Sequence, residues 1–88
     1  MAVVWIPALL RPLTAGQARV TAAGATVQAV ITDLEARYPG LQARLITEGR
    51  LRPELAVVVD GQTSSLRLRH PLTEASEVHF VLTISGGA

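Results

Sequence analysis

A single amphipathic helix is predicted in the middle of this 88-residue chain, and it restricts the folds that the chain can adopt. Apolar residues recur there at positions i, i+3, i+4 and i+7, which places them on one face of a helix. They are Val27, Val30, Ile31 and Leu34. Thr26 is suited to cap the helix at its start, and Pro39–Gly40 ends it near Tyr38. A second, short helical turn is expected to follow, with Leu41 and Leu45 closing the underside.

Two strand-like segments precede the helix. Residues 2–6 are rich in β-branched and aromatic side chains, and residues 17–23 alternate between the two faces of a half-buried strand. Pro7, Pro12 and Gly16 mark a turn region between them, so the two segments predict a hairpin. Trp5 lies in the first of these strands and is expected to be a core residue.

Three more strands are predicted after the helix. Residues 54–62 are the most apolar segment, which predicts a central strand buried on both faces and ended by a turn at Asp60–Gly61. Residues 64–72 alternate again and predict a short edge strand with Arg67 and Arg69 on its outward face. Residues 78–84 predict the last strand, which we expect beside the central one.

The predicted fold class is α+β, with the element order β-β-α-β-β-β. One helix cannot cover both faces of a sheet of four or five strands, so it must pack across one face of a mixed sheet. Hydrophobic residues make up 49% of the chain but aromatic residues only 3%, so this core must consist of aliphatic side chains.

Composition and charge exclude several functional classes. The chain has no cysteine, which removes disulfides, thiolate metal sites and cysteine nucleophiles. A formal net charge of +1 does not point to nucleic acid as a partner. The N-terminal segment lacks the basic region of a signal peptide, and Pro7 interrupts its apolar run too early for a membrane span. We therefore expect a cytoplasmic protein with no membrane partner.

Candidate catalytic residues are few and badly spaced. His70, His79 and Asp60 do not form a pattern that supports nucleophilic catalysis. Glu74 and Glu77 are expected to be solvated carboxylates, and no group of residues has metal-ligand spacing. The sequence therefore predicts a protein that is not an enzyme and that binds no metal or cofactor.

The C-terminal sequence "SGGA" gives the strongest functional signal. A diglycine adds nothing to a core, but it lets an extended backbone pass where side chains do not fit. With a strand before it and a β-β-α-β-β-β order, the whole chain resembles the ubiquitin-like sulfur-carrier family, the MoaD/ThiS-like β-grasp proteins of molybdopterin, thiamine and cysteine biosynthesis. The stretches "IPALLRPLTAGQ", "GATVQAVITDLEARYPGLQARL" and "SGG" look most similar to the carrier that feeds an O-phosphoserine-dependent cysteine synthase.

The resemblance implies a specific chemistry for the tail. An E1-like enzyme would use ATP and Mg²⁺ to adenylate the carboxylate of Gly87, and a sulfur donor would convert the adenylate to a thiocarboxylate. Ser85 and Gly86 would thread the tail into the partner's active site. The acceptor would be a PLP-dependent cysteine synthase. The resemblance thus divides the chain into a β-grasp (ubiquitin-like) domain, residues 1–84, and a flexible C-terminal tail, residues 85–88.

Ala88 departs from the pattern of the family, whose members are ready for activation when they end in Gly-Gly. With Ala88 attached, Gly87 carries an amide in place of a free carboxylate. We expect a zinc metalloprotease of the JAMM type to remove Ala88, unless the residue is a harmless extension.

Several alternatives stay open. Within carriers, the chain could be the small subunit of molybdopterin synthase or a carrier for thiamine or another sulfur metabolite. In other classes, it could be a ubiquitin-like protein modifier or a plain β-grasp interaction module. Arg67 and Arg69 are either a solvated face or a docking surface for an acidic partner.

Overall fold

The computed structural model describes residues 1–82. The strands in chain order are β1 (Ala2–Trp5), β2 (Arg19–Ala22), β3 (Ile46–Thr47), β4 (Arg50–Leu51), β5 (Leu55–Val59), β6 (Gln62–Thr63) and β7 (Glu77–Leu82). The α-helices are α1 (Val27–Arg37) and α2 (Leu41–Leu45), and two 3₁₀ helices span Ala8–Thr14 and Arg67–Arg69. Leaving out the small β3–β4 hairpin, the order β-β-α-β-β-β is confirmed, although the turn region around Pro12 is largely a 3₁₀ helix.

The main sheet is mixed, with the strand order β2-β1-β7-β5-β6. Strand β7 runs parallel to β1 and antiparallel to β5, while the other neighbours are antiparallel. Val78 faces Val4 on one side and Val59 on the other, so the last strand occupies the centre. The prediction that residues 54–62 form the central strand is therefore wrong. Strand β7 lies between β1 and β5 and is the central strand, and β5 is next to it in the strand order.

Helix α1 forms as its apolar spacing predicts. The Thr26 side chain accepts a hydrogen bond from the Ala29 backbone N–H at 3.1 Å and caps the first turn. The stripe along the helix is fully buried against the sheet. Its members are Val27, Val30, Ile31 and Leu34. The residues of the sheet that meet it are also aliphatic apart from Phe80, which is what a chain with 3% aromatic residues requires.

Among residues 1–82, the helices cover one face of the sheet. Along β5 the buried residues Leu55, Val57 and Val59 alternate with the half-buried residues Ala56 and Val58. The expectation that this strand is buried on both faces is wrong, because α1 and α2 lie on the same side and nothing among residues 1–82 covers the other side. The apolar run reflects a half-exposed second face.

Helix α2 is the predicted short helical turn after Gly40, and its first and last residues, Leu41 and Leu45, are buried. The Glu35 carboxylate accepts hydrogen bonds from the backbone N–H groups of Gly40 and Gln42, the latter at 2.8 Å. These bonds stabilise the charged form, so they hold the pKa of Glu35 below its usual value of 4.5. Glu35 therefore fixes the junction between the two helices.

Residues 64–72 do not form the predicted edge strand. Strand β6 ends at Thr63, and a 3₁₀ helix spans Arg67–Arg69. The Ser64 hydroxyl oxygen accepts hydrogen bonds from the backbone N–H groups of Leu66 and Arg67, both at 3.1 Å, which turns the chain out of the sheet. The alternation of Leu and Arg there has the period of a strand but is satisfied by this helical turn.

Candidate functional site

The end of strand β7 is the point from which the predicted reactive tail continues. Residues Glu77–His79 pair with β1, and all five residues from Val78 to Leu82 pair with β5. This pairing in the middle of the sheet fixes the position of Leu82 relative to the whole domain. Val81 and Leu82 are nonetheless 41% and 54% exposed, so the strand ends in apolar side chains that face solvent.

The predicted tail residues Ser85, Gly86, Gly87 and Ala88 lie outside the described residues, as do the last two residues of the predicted strand and domain, at positions 83 and 84. Gly87 is five residues beyond Leu82, a distance of at most about 17 Å for an extended chain. A partner that reached Gly87 would therefore come within about 17 Å of the end of β7.

Trp5 lies on the uncovered face of the sheet, so the expectation that it is a core residue is wrong. Trp5 follows Val4 in strand β1, so their side chains point to opposite faces of the sheet, and the side chain of Val4 is the one buried in the core. Its ring stacks on His79 with 5.4 Å between centroids and 6° between planes, and the Arg19 guanidinium lies 5.7 Å from the Trp5 ring centroid. The indole N–H donates to the Glu77 carboxylate at 3.3 Å. The single tryptophan thus belongs to an accessible polar–aromatic cluster.

Ser64 and His70 form a pair that the sequence did not reveal. The Ser64 hydroxyl oxygen lies 2.7 Å from His70 Nδ1. Because that oxygen also accepts two backbone N–H bonds, its hydroxyl proton is the one free to bond the imidazole nitrogen. Asp60 accepts a hydrogen bond from the backbone N–H of Glu77. The geometry assigns the Ser64–His70 pair to holding the turn before the 3₁₀ helix at Arg67–Arg69.

Arg67 and Arg69 line a cleft instead of a strand face. The prediction that they share the outward face of an edge strand is wrong, because their segment is helical. The structure brings them beside Arg50 of strand β4, around an open cleft of about 770 Å³. Nothing in the sequence linked Arg50 to Arg67 and Arg69, because the β3–β4 hairpin that contains Arg50 was not predicted.

Residues 1–82 contain no group of three or more His, Cys, Asp or Glu side chains placed to hold a metal ion. None of the helices within the same range is both long enough and apolar enough to cross a membrane.

The sequence comparisons identify a family. The model of the ThiS family matches residues 4–87, which include the Gly86–Gly87 pair. The sulfur carrier protein CysO of Mycobacterium tuberculosis is 35% identical over 89 aligned residues, covering 96% of this chain and 96% of that protein. Both matches span nearly the entire chain.

Solved structures confirm the fold. A chain from the crystal structure of the Amycolatopsis orientalis BexX/CysO complex has a TM-score of 0.89 and 32% identity, covering 99% of this chain and 100% of that one. The crystal structure of M. tuberculosis CysO gives a TM-score of 0.88 and covers 96% and 100%. SAMP1 from Haloferax volcanii, with a TM-score of 0.73 and 26% identity, covers 98% of both chains. The α+β fold is the β-grasp (ubiquitin-like) fold, and the chain belongs to the ThiS family.

Proposed function

We propose that this protein is a sulfur carrier whose C-terminal glycine is converted to a thiocarboxylate. One observation carries the proposal: the chain is 35% identical over 96% of its length to a protein named sulfur carrier protein CysO. The family match supports it further, because it extends through Gly87, the second-last residue of the chain. The central position of β7 supplies a rigid base for a tail that must reach into another protein.

The proposed chemistry proceeds in two steps on Gly87. The free carboxylate attacks the α-phosphate of ATP on an E1-like enzyme, which releases pyrophosphate and leaves an acyl-adenylate. Sulfide then attacks the acyl carbon and AMP departs, so that the sulfur stays on Gly87 as a thiocarboxylate. Mg²⁺ and ATP belong to the activating enzyme. The carrier contributes the reactive carbon and the surface that docks, and we propose that it has no active site of its own.

Removal of Ala88 must precede this chemistry. In the full sequence the Gly87 carbonyl is part of a peptide bond, which cannot be adenylated as a free carboxylate can. We propose that a zinc metalloprotease of the JAMM type hydrolyses the Gly87–Ala88 bond. Gly87 has no side chain, so the protease can close around an extended backbone at this bond.

The proposed acceptor is a PLP-dependent cysteine synthase, with the reaction taking place in the cytoplasm. The thiocarboxylate sulfur would add to an aminoacrylate held on that enzyme, and hydrolysis of the resulting thioester or its rearranged amide would return the carrier. The support is the similarity to CysO proteins, one of which is crystallised in a complex with BexX.

The test is reconstitution with the activating enzyme, ATP and a sulfide source. A chain ending at Gly87 is expected to exchange one oxygen for one sulfur, measured as intact mass. The full chain ending in Ala88 is expected to stay unmodified unless the metalloprotease is added. Equal loading of both forms, or no loading of the chain that ends at Gly87, would contradict the proposal.

A second candidate is a ubiquitin-like protein modifier, which the similarity to small archaeal modifier protein 1 of H. volcanii favours. A modifier would be joined through Gly87 to lysines of other proteins. Blotting of host extracts for this chain distinguishes the two, since a modifier gives a ladder of heavier conjugates and a dedicated carrier gives one band.

A further inference from the structure

Three arginines from two separate segments surround one open cleft. Arg50 belongs to strand β4, and Arg67 and Arg69 to the 3₁₀ helix that contacts this strand. Apolar side chains also line the cleft. They are Leu51, Pro53, Leu66 and Leu68. Leu51 is buried and Leu66 is 46% exposed, so the cleft presents both an apolar floor and an accessible apolar rim.

Among residues 1–82, no ion pair neutralises the charge of the cleft. The ion pairs formed among residues 1–82 are Arg37–Asp33 and Arg52–Glu54, so neither includes an arginine of the cleft. Glu48 is the single carboxylate among the lining residues, against three guanidinium groups. A guanidinium offers a planar set of donors that matches a carboxylate, and none of the three exposed groups is paired with a carboxylate from residues 1–82.

The lining favours an extended peptide over a small anion. Sites for phosphate or a nucleotide use backbone N–H groups that converge on the ligand. Here the N–H groups of Leu66 and Arg67 both donate to the Ser64 hydroxyl oxygen and are not available. The alternation of arginine and leucine around an open cleft instead fits a chain segment in which carboxylate and apolar side chains also alternate.

One lining residue of the cleft, Pro53, lies near the end of β7. Pro53 precedes Leu55 by two residues, and Leu55 is paired with Leu82 at the end of β7. Two residues of chain and one antiparallel pair together span at most about 13 Å. A protein that holds the end of β7 in order to reach Gly87 can therefore contact this cleft with an adjacent segment.

We propose that the cleft of Arg50, Arg67 and Arg69 binds an extended acidic and apolar segment of the enzyme that acts on the tail. Assigning the segment to that enzyme rests on the proposed function, while the chemistry of the cleft does not. Complementary charge accelerates encounter and selects the partner, and its effect weakens as salt is added. The apolar floor then holds the segment by burial of its leucine-like side chains.

The test is the binding of a fluorescein-labelled peptide of alternating aspartate and leucine, followed by fluorescence anisotropy at low and high salt. The full chain is expected to bind, and added salt is expected to weaken binding. The double variant R67E/R69E should lose about tenfold or more in affinity. The matched control is R19E/R44E, which changes the net charge equally but alters no residue that lines the cleft, and it should bind as the unmodified chain does.

Arg50→Glu tests the same cleft with a second variant. It alters a cleft residue on strand β4 and leaves the 3₁₀ helix at Arg67–Arg69 unchanged, and it should also weaken peptide binding. Thermal unfolding followed by circular dichroism verifies that each variant is folded. The inference is overturned if the peptide does not bind, if R67E/R69E and R19E/R44E weaken binding equally, or if inorganic phosphate or ATP displaces the peptide at equal concentration.

The peptide-binding experiment tests the cleft independently of the proposed sulfur-carrier function. The peptide titration needs no activating enzyme and no trimming of Ala88, so a failure of sulfur loading leaves its result unchanged. If the chain ending at Gly87 is loaded with sulfur while all cleft variants bind the peptide normally, the cleft assignment alone fails.

Discussion

Among the glycines of residues 1–82, Gly24 is the one whose replacement the packing tolerates least. It has φ = +154°, a backbone conformation that residues with a side chain rarely adopt. A Cβ atom there would lie 2.7 Å from the backbone nitrogen of Val30 and 2.8 Å from the carbonyl carbon of Ala29. The chain passes this close to the first turn of α1 because only four residues separate the end of β2 from the start of the helix.

Gly24→Ala is expected to lower the free energy of unfolding by about 1–3 kcal/mol or more, because the backbone of α1 would have to move. Denaturant unfolding followed by circular dichroism measures the change. Gly16→Ala is the control: Gly16 also has a positive φ, of +82°, but a Cβ atom there meets nothing within 4 Å. Equal losses in the two variants would show that the conformation at Gly24, and not the close approach, is the constraint.

The junction between α1 and α2 contains a contact that depends on pH. The pKa of Glu35 is lowered because its charged form accepts hydrogen bonds from Gln42 and Gly40 at the start of α2. A carboxylate with a lower pKa in the folded state stabilises the fold above its unfolded-state pKa. That contribution is lost as the pH falls below 4.5 and passes through the lower folded-state pKa.

Glu35→Gln is therefore expected to lower the melting temperature at pH 7 and to have a diminishing effect as the pH is reduced below 4.5. Glu74→Gln serves as the control, since Glu74 is an exposed carboxylate that accepts no hydrogen bond from residues 1–82. Melting curves between pH 7 and the acid transition measure the difference. A constant difference at all pH values would contradict the assignment of the charge as the stabilising factor.

At the scale of elements, the predictable parts are those that local chemistry decides. Helix α1 follows from its apolar spacing and the Thr26 cap, and the hairpin between β5 and β6 follows from Asp60–Gly61, where both residues have positive φ. The segment 64–72 was not predictable in this way, because its direction depends on the contact between Ser64 and His70. The environment of Trp5 was not predictable either, because it depends on which face of the sheet is covered by α1, a helix distant in sequence.

At the scale of the whole molecule, the folded domain and the segment that follows β7 have different roles. The aliphatic core and the covered sheet face hold β7 in place, and the reactive residue is predicted beyond the end of that strand. The family and the fold could be anticipated from the diglycine and the order of elements. The cleft of Arg50, Arg67 and Arg69 could not, because it forms only when a hairpin and a 3₁₀ helix that are 16 or more residues apart in sequence meet.

The central claim is that Gly87 carries sulfur, and the intact mass of the untagged protein purified from its own host tests it most directly. The account predicts loss of Ala88, with a fraction of the molecules carrying one sulfur in place of one oxygen. A mass that corresponds to the full chain through Ala88 under every growth condition would contradict it, and the protein would then be an interaction module whose glycines serve another purpose.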